Sequence, residues 1–171
     1  MNRCIRTVLV VLTLVLISFG CRSIGYNLGT TLPEGLRSVQ VPIFINETKE
    51  PLLEAVATQA TLEEFQREGT MKVSNDQADT LLEVTLTDFV IEPLRYRKDE
   101  SLTGQEYRIR IYANMVFSKT KPEKAIMIKK RVIGEATFLL VGDLSSSKLT
   151  ALPAATKNLG YHIVNNIVEY W

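Results

Sequence analysis

The sequence predicts an α/β protein: a two-layer sandwich in which two helices pack on one face of a mixed β-sheet of four strands or slightly more. Three observations carry this. Apolar residues alternate with polar ones from Tyr107 to Ser118, the period of a half-buried strand. From Leu152 to Tyr170 they recur at three and four, as on one helix face. Between these and Val39 the order is strand, helix and several strands, so the first strand and helix can cross over to a parallel neighbour while later strands form antiparallel hairpins. Two helices cover one face only. The other must meet solvent or a partner, and exposed apolar surface there would mark an interaction site.

Each element has its own signal. Val39, Val41, Ile43 and Ile45 alternate as in a strand, and Pro42, which has no N–H, makes it an edge strand or one unpaired on that side. Asn46, Thr48 and Pro51 favour a helix start, and the segment they open runs to about Glu68, where Gly69 closes it. Leu53, Val56, Ala57 and Ala60 form its apolar stripe, with Leu62 and Phe65 off it. Met71 to Ser74 is a short strand. Leu82, Val84 and Leu86 open a long one whose apolar positions change parity at Phe89 and Ile91, as a bulge near Asp88 would cause. Ile126 to Leu140 is the last strand, with Lys130 out of pattern, and the final helix runs from about Thr150 to the C-terminus.

The first twenty residues read as an export signal that is cut away: Arg3 and Arg6, the apolar run Val8 to Ile17, then Gly20 before Cys21. The run is too short to span a bilayer, which takes about 20 apolar residues. Leu16-Ile17-Ser18-Phe19-Gly20-Cys21 offers a cysteine just after the cut, where its thiol can take a diacylglycerol thioether and its freed amine an acyl (palmitate-type) chain. Cys4 leaves with the signal, so Cys21 has no disulfide partner, and lipid attachment uses its sulfur. Several acyl chains, at about 0.8 kcal/mol per buried methylene, hold a membrane firmly. Arg22 after the cysteine, in place of the Asp that retains lipoproteins at the inner membrane of many diderm bacteria, favours the outer membrane, on its periplasmic side. Residues 21–37, with Gly25, Gly29, Gly35 and Pro33, read as an extended arm, and 38–171 as a single domain. With Arg3 and Arg6 removed the chain is nearly neutral, which argues against nucleic acid as a partner.

Little in the sequence points to catalysis. His162 is the only histidine and has no companions for a metal site, so a packed structural role fits it best. Ser145 and Lys148 have the Ser-x-x-Lys spacing, but the companion motifs of penicillin-binding enzymes are absent, and a serine turn before the last helix is the simpler reading. Glu63 and Glu64 diverge on a helix and read as a solvated face. No glycine-rich phosphate loop follows a strand. Arg95, Arg97 and Lys98, with Tyr96 among them, could grip phosphate on a partly apolar molecule. From the residues alone they read first as a solvated hairpin loop, partly neutralised by Asp99 and Glu100.

The chain resembles the LptE family of lipopolysaccharide-assembly lipoproteins. The likeness lies in the cysteine at 21, Gly25-Tyr26-Asn27-Leu28, Leu32-Pro33, Val39-Gln40-Val41-Pro42-Ile43-Phe44, Asn46-Glu47-Thr48, Glu106-Tyr107-Arg108 and the helix ending at Trp171. Arg22-Ser23-Ile24 depart from it, lengthening the tether before Gly25-Tyr26. The resemblance implies a non-enzymatic plug and assembly partner of the outer-membrane β-barrel LptD, delivering lipopolysaccharide to the cell surface, with no cofactor beyond the lipid on Cys21. It also implies basic lipopolysaccharide contacts, best matched by Arg97, with Arg95 and Lys98 as alternatives and Lys148 as a second site. A lipid-tethered adaptor or pilotin for another envelope secretion machine would share the anchor and size. A tethered hydrolase would need catalytic groups that the sequence lacks.

Overall fold

The computed structural model describes residues 36–96, 104–121 and 125–170. The expected leader, the Cys21 anchor and most of the arm lie outside them. In chain order the elements are β1 (Ser38–Gln40), β2 (Ile45–Asn46), α1 (Leu53–Glu68), β3 (Lys72–Val73), β4 (Thr80–Tyr96), β5 (Gly104–Lys119), β6 (Ile126–Leu139) and α2 (Leu144–Val168). The sheet runs β3-β1-β4-β5-β6, with β2 also paired to β4. β1 is parallel to β3 and β4, and β2 to β4, whereas β4, β5 and β6 are antiparallel. This is the expected mixed sheet under two helices, enlarged by short strands.

Pro42 does not mark an edge strand, and the chain is unpaired around it. The first strand is broken around it, and the part before the break is flanked by β3 and β4, away from any edge. Proline removes a ladder donor and so ends the pairing, and pairing resumes only at Ile45. The bulge is where the parity change put it, between Leu86 and Asp88.

Local chemistry explains the helix limits. Ahead of α1, Asn46 Oδ1 accepts from the Thr48 N–H at 3.0 Å, and Asn46 Nδ2 donates to the Glu50 carbonyl at 2.9 Å, folding the chain into the turn. Gly69, at φ 77°, ends the helix by donating its N–H to the Phe65 carbonyl, a left-handed cap that glycine takes at least cost. Phe65, off the expected stripe, is fully buried, so the core-facing side of α1 is turned toward Thr58, Thr61 and Phe65. The second helix begins earlier than Thr150 because Asp143 caps it, accepting the Ser146 N–H at 2.9 Å. The three serines therefore form the first helical turn. Pro153 lies inside the helix.

The core lies between sheet and helices: Leu82, Val84 and Leu86 of β4, Ile109, Ile111, Met115 and Phe117 of β5, and Leu159, Ile163 and Ile167 of α2. α2 packs on β5 and β6, and α1 packs beside α2. The helices run in the same direction. Lys148 bonds Glu50 near their starts, and Gly160 comes within Cβ reach of Ala60 and Thr61 farther along, at 3.1 Å. Along the outer strand β6, the Glu135 N–H is taken by Asn158 Oδ1 of α2 at 2.9 Å.

The open sheet face differs from the apolar surface expected there. Arg110 lies 3.0 Å from Glu92 and 3.5 Å from Glu135, and Arg131 covers the Tyr112 ring at 4.7 Å. Charges paired across strands stay solvated on a sheet surface, so the centre of this face is stable in water.

Candidate functional site

The site is built around the far end of the β4–β5 hairpin. The strands diverge from regular register here, with shifts between Pro93 and Arg95 and between Arg95 and Tyr96, and this turns the end of β4 away from a flat ladder. Arg97 and Lys98 lie outside the described residues. Arg95 is described: its side chain is 78% exposed, and its Nε lies 3.4 Å from Glu106 Oε2. A contact this long and exposed is weak. Most of the guanidinium faces water and can fork onto an anion.

Lys148 is placed differently. Its Nζ donates to Glu50 Oε1 at 2.7 Å, with side-chain exposures of 21% and 14%, so the pair is largely shielded and ties α2 to the turn leading into α1. An anion could reach this ammonium only in competition with Glu50. Both residues are nevertheless at the same end of the fold. Arg95 pairs with Glu106 and Glu106 with Leu139, and two residues past Leu139 the Val141 backbone is bonded to Ser147, next to Lys148.

One row further in, Pro93 pairs with Tyr107 and Tyr107 with Phe138, whose rings stack with centroids 5.7 Å apart. Beside Phe138 a trough opens between the end of β6 and α2. The basic residues stood out in the sequence by charge, whereas this trough did not. The signal was present in the apolar run Phe138-Leu139-Leu140-Val141 continuing past the strand, but its other wall comes from helix residues that only the tertiary structure brings opposite.

Other candidates resolve into structural roles. His162 is half-buried and edge-on to Tyr161, with centroids 5.4 Å apart. Glu64, read from sequence as solvated, is 5% exposed and bonded to Arg67. Ser147 is bonded to Val141, and Lys148 to Glu50. Among the described residues no group of three His, Cys, Asp or Glu side chains is placed to hold a metal ion. No described helix is long and apolar enough to cross a membrane.

Comparison with solved structures finds the same fold in distant proteins. A protein from Xanthomonas campestris, XCC0632, is 8% identical with a TM-score of 0.57, covering 83% of this chain and 91% of its own. The hypothetical protein CT253 from Chlamydia trachomatis is 10% identical with a TM-score of 0.55, covering 78% and 96%. Comparison with curated protein sequences finds no match. The family model described as LptE, lipopolysaccharide-assembly, matches residues 36–158, from the start of β1 into the last helix. That match takes in the whole sheet, both helix starts and more than half of the sequence, and so the chain belongs to the LptE lipopolysaccharide-assembly family.

Proposed function

We propose that this protein is an outer-membrane lipoprotein, anchored on the periplasmic side by lipid on Cys21, that acts as plug and assembly partner of the LptD β-barrel in moving lipopolysaccharide to the cell surface. The family match over residues 36–158 carries the reading. In this reading residues 1–20 are the cleaved signal, 21–37 the lipidated arm and 38–171 the domain that enters the barrel. The role is binding and positioning rather than catalysis. A paired polar face such as that around Arg110, Glu92 and Glu135 is suited to the wet interior of a wide barrel, where an apolar face would not be. Arg95, Arg97 and Lys98 are the proposed contacts to the glycolipid phosphates, with Lys148 the second basic position.

The test is affinity purification of the full chain from native membranes, followed by identification of its partner. Recovery of LptD in near-equal amount supports the reading. Recovery of a secretin or another barrel in its place would assign the chain to a different envelope machine as an adaptor or pilotin.

A further inference from the structure

The trough beside Phe138 has the size and chemistry of a ligand site. Phe138, Leu139 and Val141 form one wall and Thr150, Ala151 and Ala154 the other. Its volume of about 630 Å³ falls within the range of about 300–1,000 Å³ usual for small-molecule pockets. Two of its hydroxyls are bonded within the chain itself. Ser147 Oγ accepts the Val141 N–H and donates to the Val141 carbonyl, each at 3.0 Å, and Thr150 Oγ1 donates to the Ser146 carbonyl at 3.1 Å. An alkyl chain needs no hydrogen-bond partner, and Phe138, Leu139, Val141 and Ala154 offer it apolar surface to bury against. Leu139 and Val141 meanwhile stand 62% and 77% exposed at the rim. Clustered apolar side chains of this kind mark an interaction surface.

A cation stands across the rim, on the sheet face that Leu139 shares and that Phe138 does not. Leu139 pairs with Glu106 and Glu106 with Arg95, so Arg95 is two strand spacings from the rim, about 10 Å. An amphiphile with an anionic head and an alkyl tail would span that interval. We propose that the trough between Phe138–Val141 and α2 holds one acyl chain of the phosphorylated glycolipid while Arg95 meets a phosphate on its head. The proposal rests on the glycolipid-transport reading and adds to it a binding site for the apolar part of the cargo.

The test uses the full chain in its own cells, with a photoreactive residue at Val141 in the trough or at Leu94 next to the cation, and capture of cellular lipopolysaccharide as the readout. Both positions should capture it. Ala154→Phe, which fills the trough, should lower capture at Val141 by roughly tenfold, since each displaced methylene is worth about fourfold in affinity, and should lower capture at Leu94 much less. If Ala154→Phe does not accumulate as folded protein, Val141→Asp with the photoreactive residue at Thr150 puts the same question. Unchanged capture in the filled variant overturns the trough as an acyl site, as does capture at Val141 of protein alone or of the chain's own Cys21 lipid. Continued capture at Leu94 would then leave the transport reading standing. Absence of lipopolysaccharide from both positions overturns the acyl site and the glycolipid contact together.

Discussion

Gly134 of β6 lies so close under α2 that a Cβ there would stand 2.4 Å from the Leu159 Cβ and 2.7 Å from the Ala155 carbonyl oxygen. Two of its three nearest atoms belong to helix backbone, which cannot move aside as a flexible side chain can. Gly134→Ala should therefore lift the helix locally and destabilise the domain by about 2 kcal/mol, within the usual cost of overpacking. Urea denaturation of wild type and variant measures this. Gly69→Ala is the comparison, because no atom lies within 4 Å there and any cost comes from its φ of +77°. A loss at Gly134 no larger than at Gly69 would mean that the helix does not rest on this strand as described.

Lys148 first holds the fold together, through its bond to Glu50. Lys148→Met should cost about 1 to 2 kcal/mol, between the values for exposed and buried ion pairs, because Glu50 is left shielded without its partner. Combining it with Glu50→Gln should recover part of the loss. Lipopolysaccharide retention by the folded double variant, close to that of wild type, would confine Lys148 to this structural task, and a severalfold drop would give it a ligand role as well.

Acid should loosen the start of β1. Asp79 accepts the Ser38 hydroxyl at 2.8 Å and the backbone N–H groups of Arg37 and Ser38 at 3.1 Å each. The Ser38 hydroxyl bond comes first among the causes that hold its carboxyl below the ordinary value of 3.8, although burial opposes them. A folded-state pKa below the unfolded one stabilises the protein fully above the unfolded value and is lost as pH falls through the folded value. Stability measured from pH 7 down through pH 4 and below should thus fall more steeply in wild type than in Asp79→Asn, which is weaker at neutral pH and flatter in acid. Parallel curves would show that the carboxylate does not carry this clamp.

The basic loop separates a cargo-contacting protein from an inert plug. Replacing Arg95, Arg97 and Lys98 together by Glu should change stability by no more than about 0.5 kcal/mol, the usual limit for substitutions away from caps and cores. Each lost charge-assisted contact is worth about 1.5 to 3 kcal/mol in binding, and part of the effect should be screened by salt. Retention of purified lipopolysaccharide at low and moderate salt, with circular dichroism as the folding control, gives the answer. Equal retention by two folded proteins would leave the loop as solvated surface.

Cys21→Ala should abolish lipid attachment and leave a soluble or unprocessed periplasmic form, since the thioether requires that sulfur. Mass spectrometry of the wild-type N-terminal peptide is the direct check, and an unmodified Cys21 would remove the anchor.

Sequence patterns revealed those features that depend on neighbours along the chain. The bulge between Leu86 and Asp88 appeared as a change of parity, and the end of α1 as Gly69 after the last polar turn, because both are decided by a few adjacent residues. What escaped was decided at a distance. Pro42 suggests an edge strand or one unpaired on that side, and only the long-range pairing of the short strand β3 shows that β1 is flanked on both sides. Glu64 is buried because α2 passes over it with Tyr161 and Val164 alongside, which helix periodicity in α1 alone cannot show. Among the site residues, Arg95 was legible as exposed charge, whereas the Lys148 bond to Glu50 joins segments far apart in the chain and the trough opposes a strand end to a helix.

The bond from the Glu135 N–H to Asn158 also bears on how copies of this protein behave together. An unpaired outer strand invites the same strand of another molecule to zip onto it, and growth from copy to copy is how sheets become fibrils. With a backbone donor midway along β6 already claimed by the overlying helix, such a zipper would stall where Asn158 stands. Nearby Lys129, Lys130 and Arg131 would repel an incoming copy of themselves. Copies crowded together would thus meet one another without joining sheets along this strand edge.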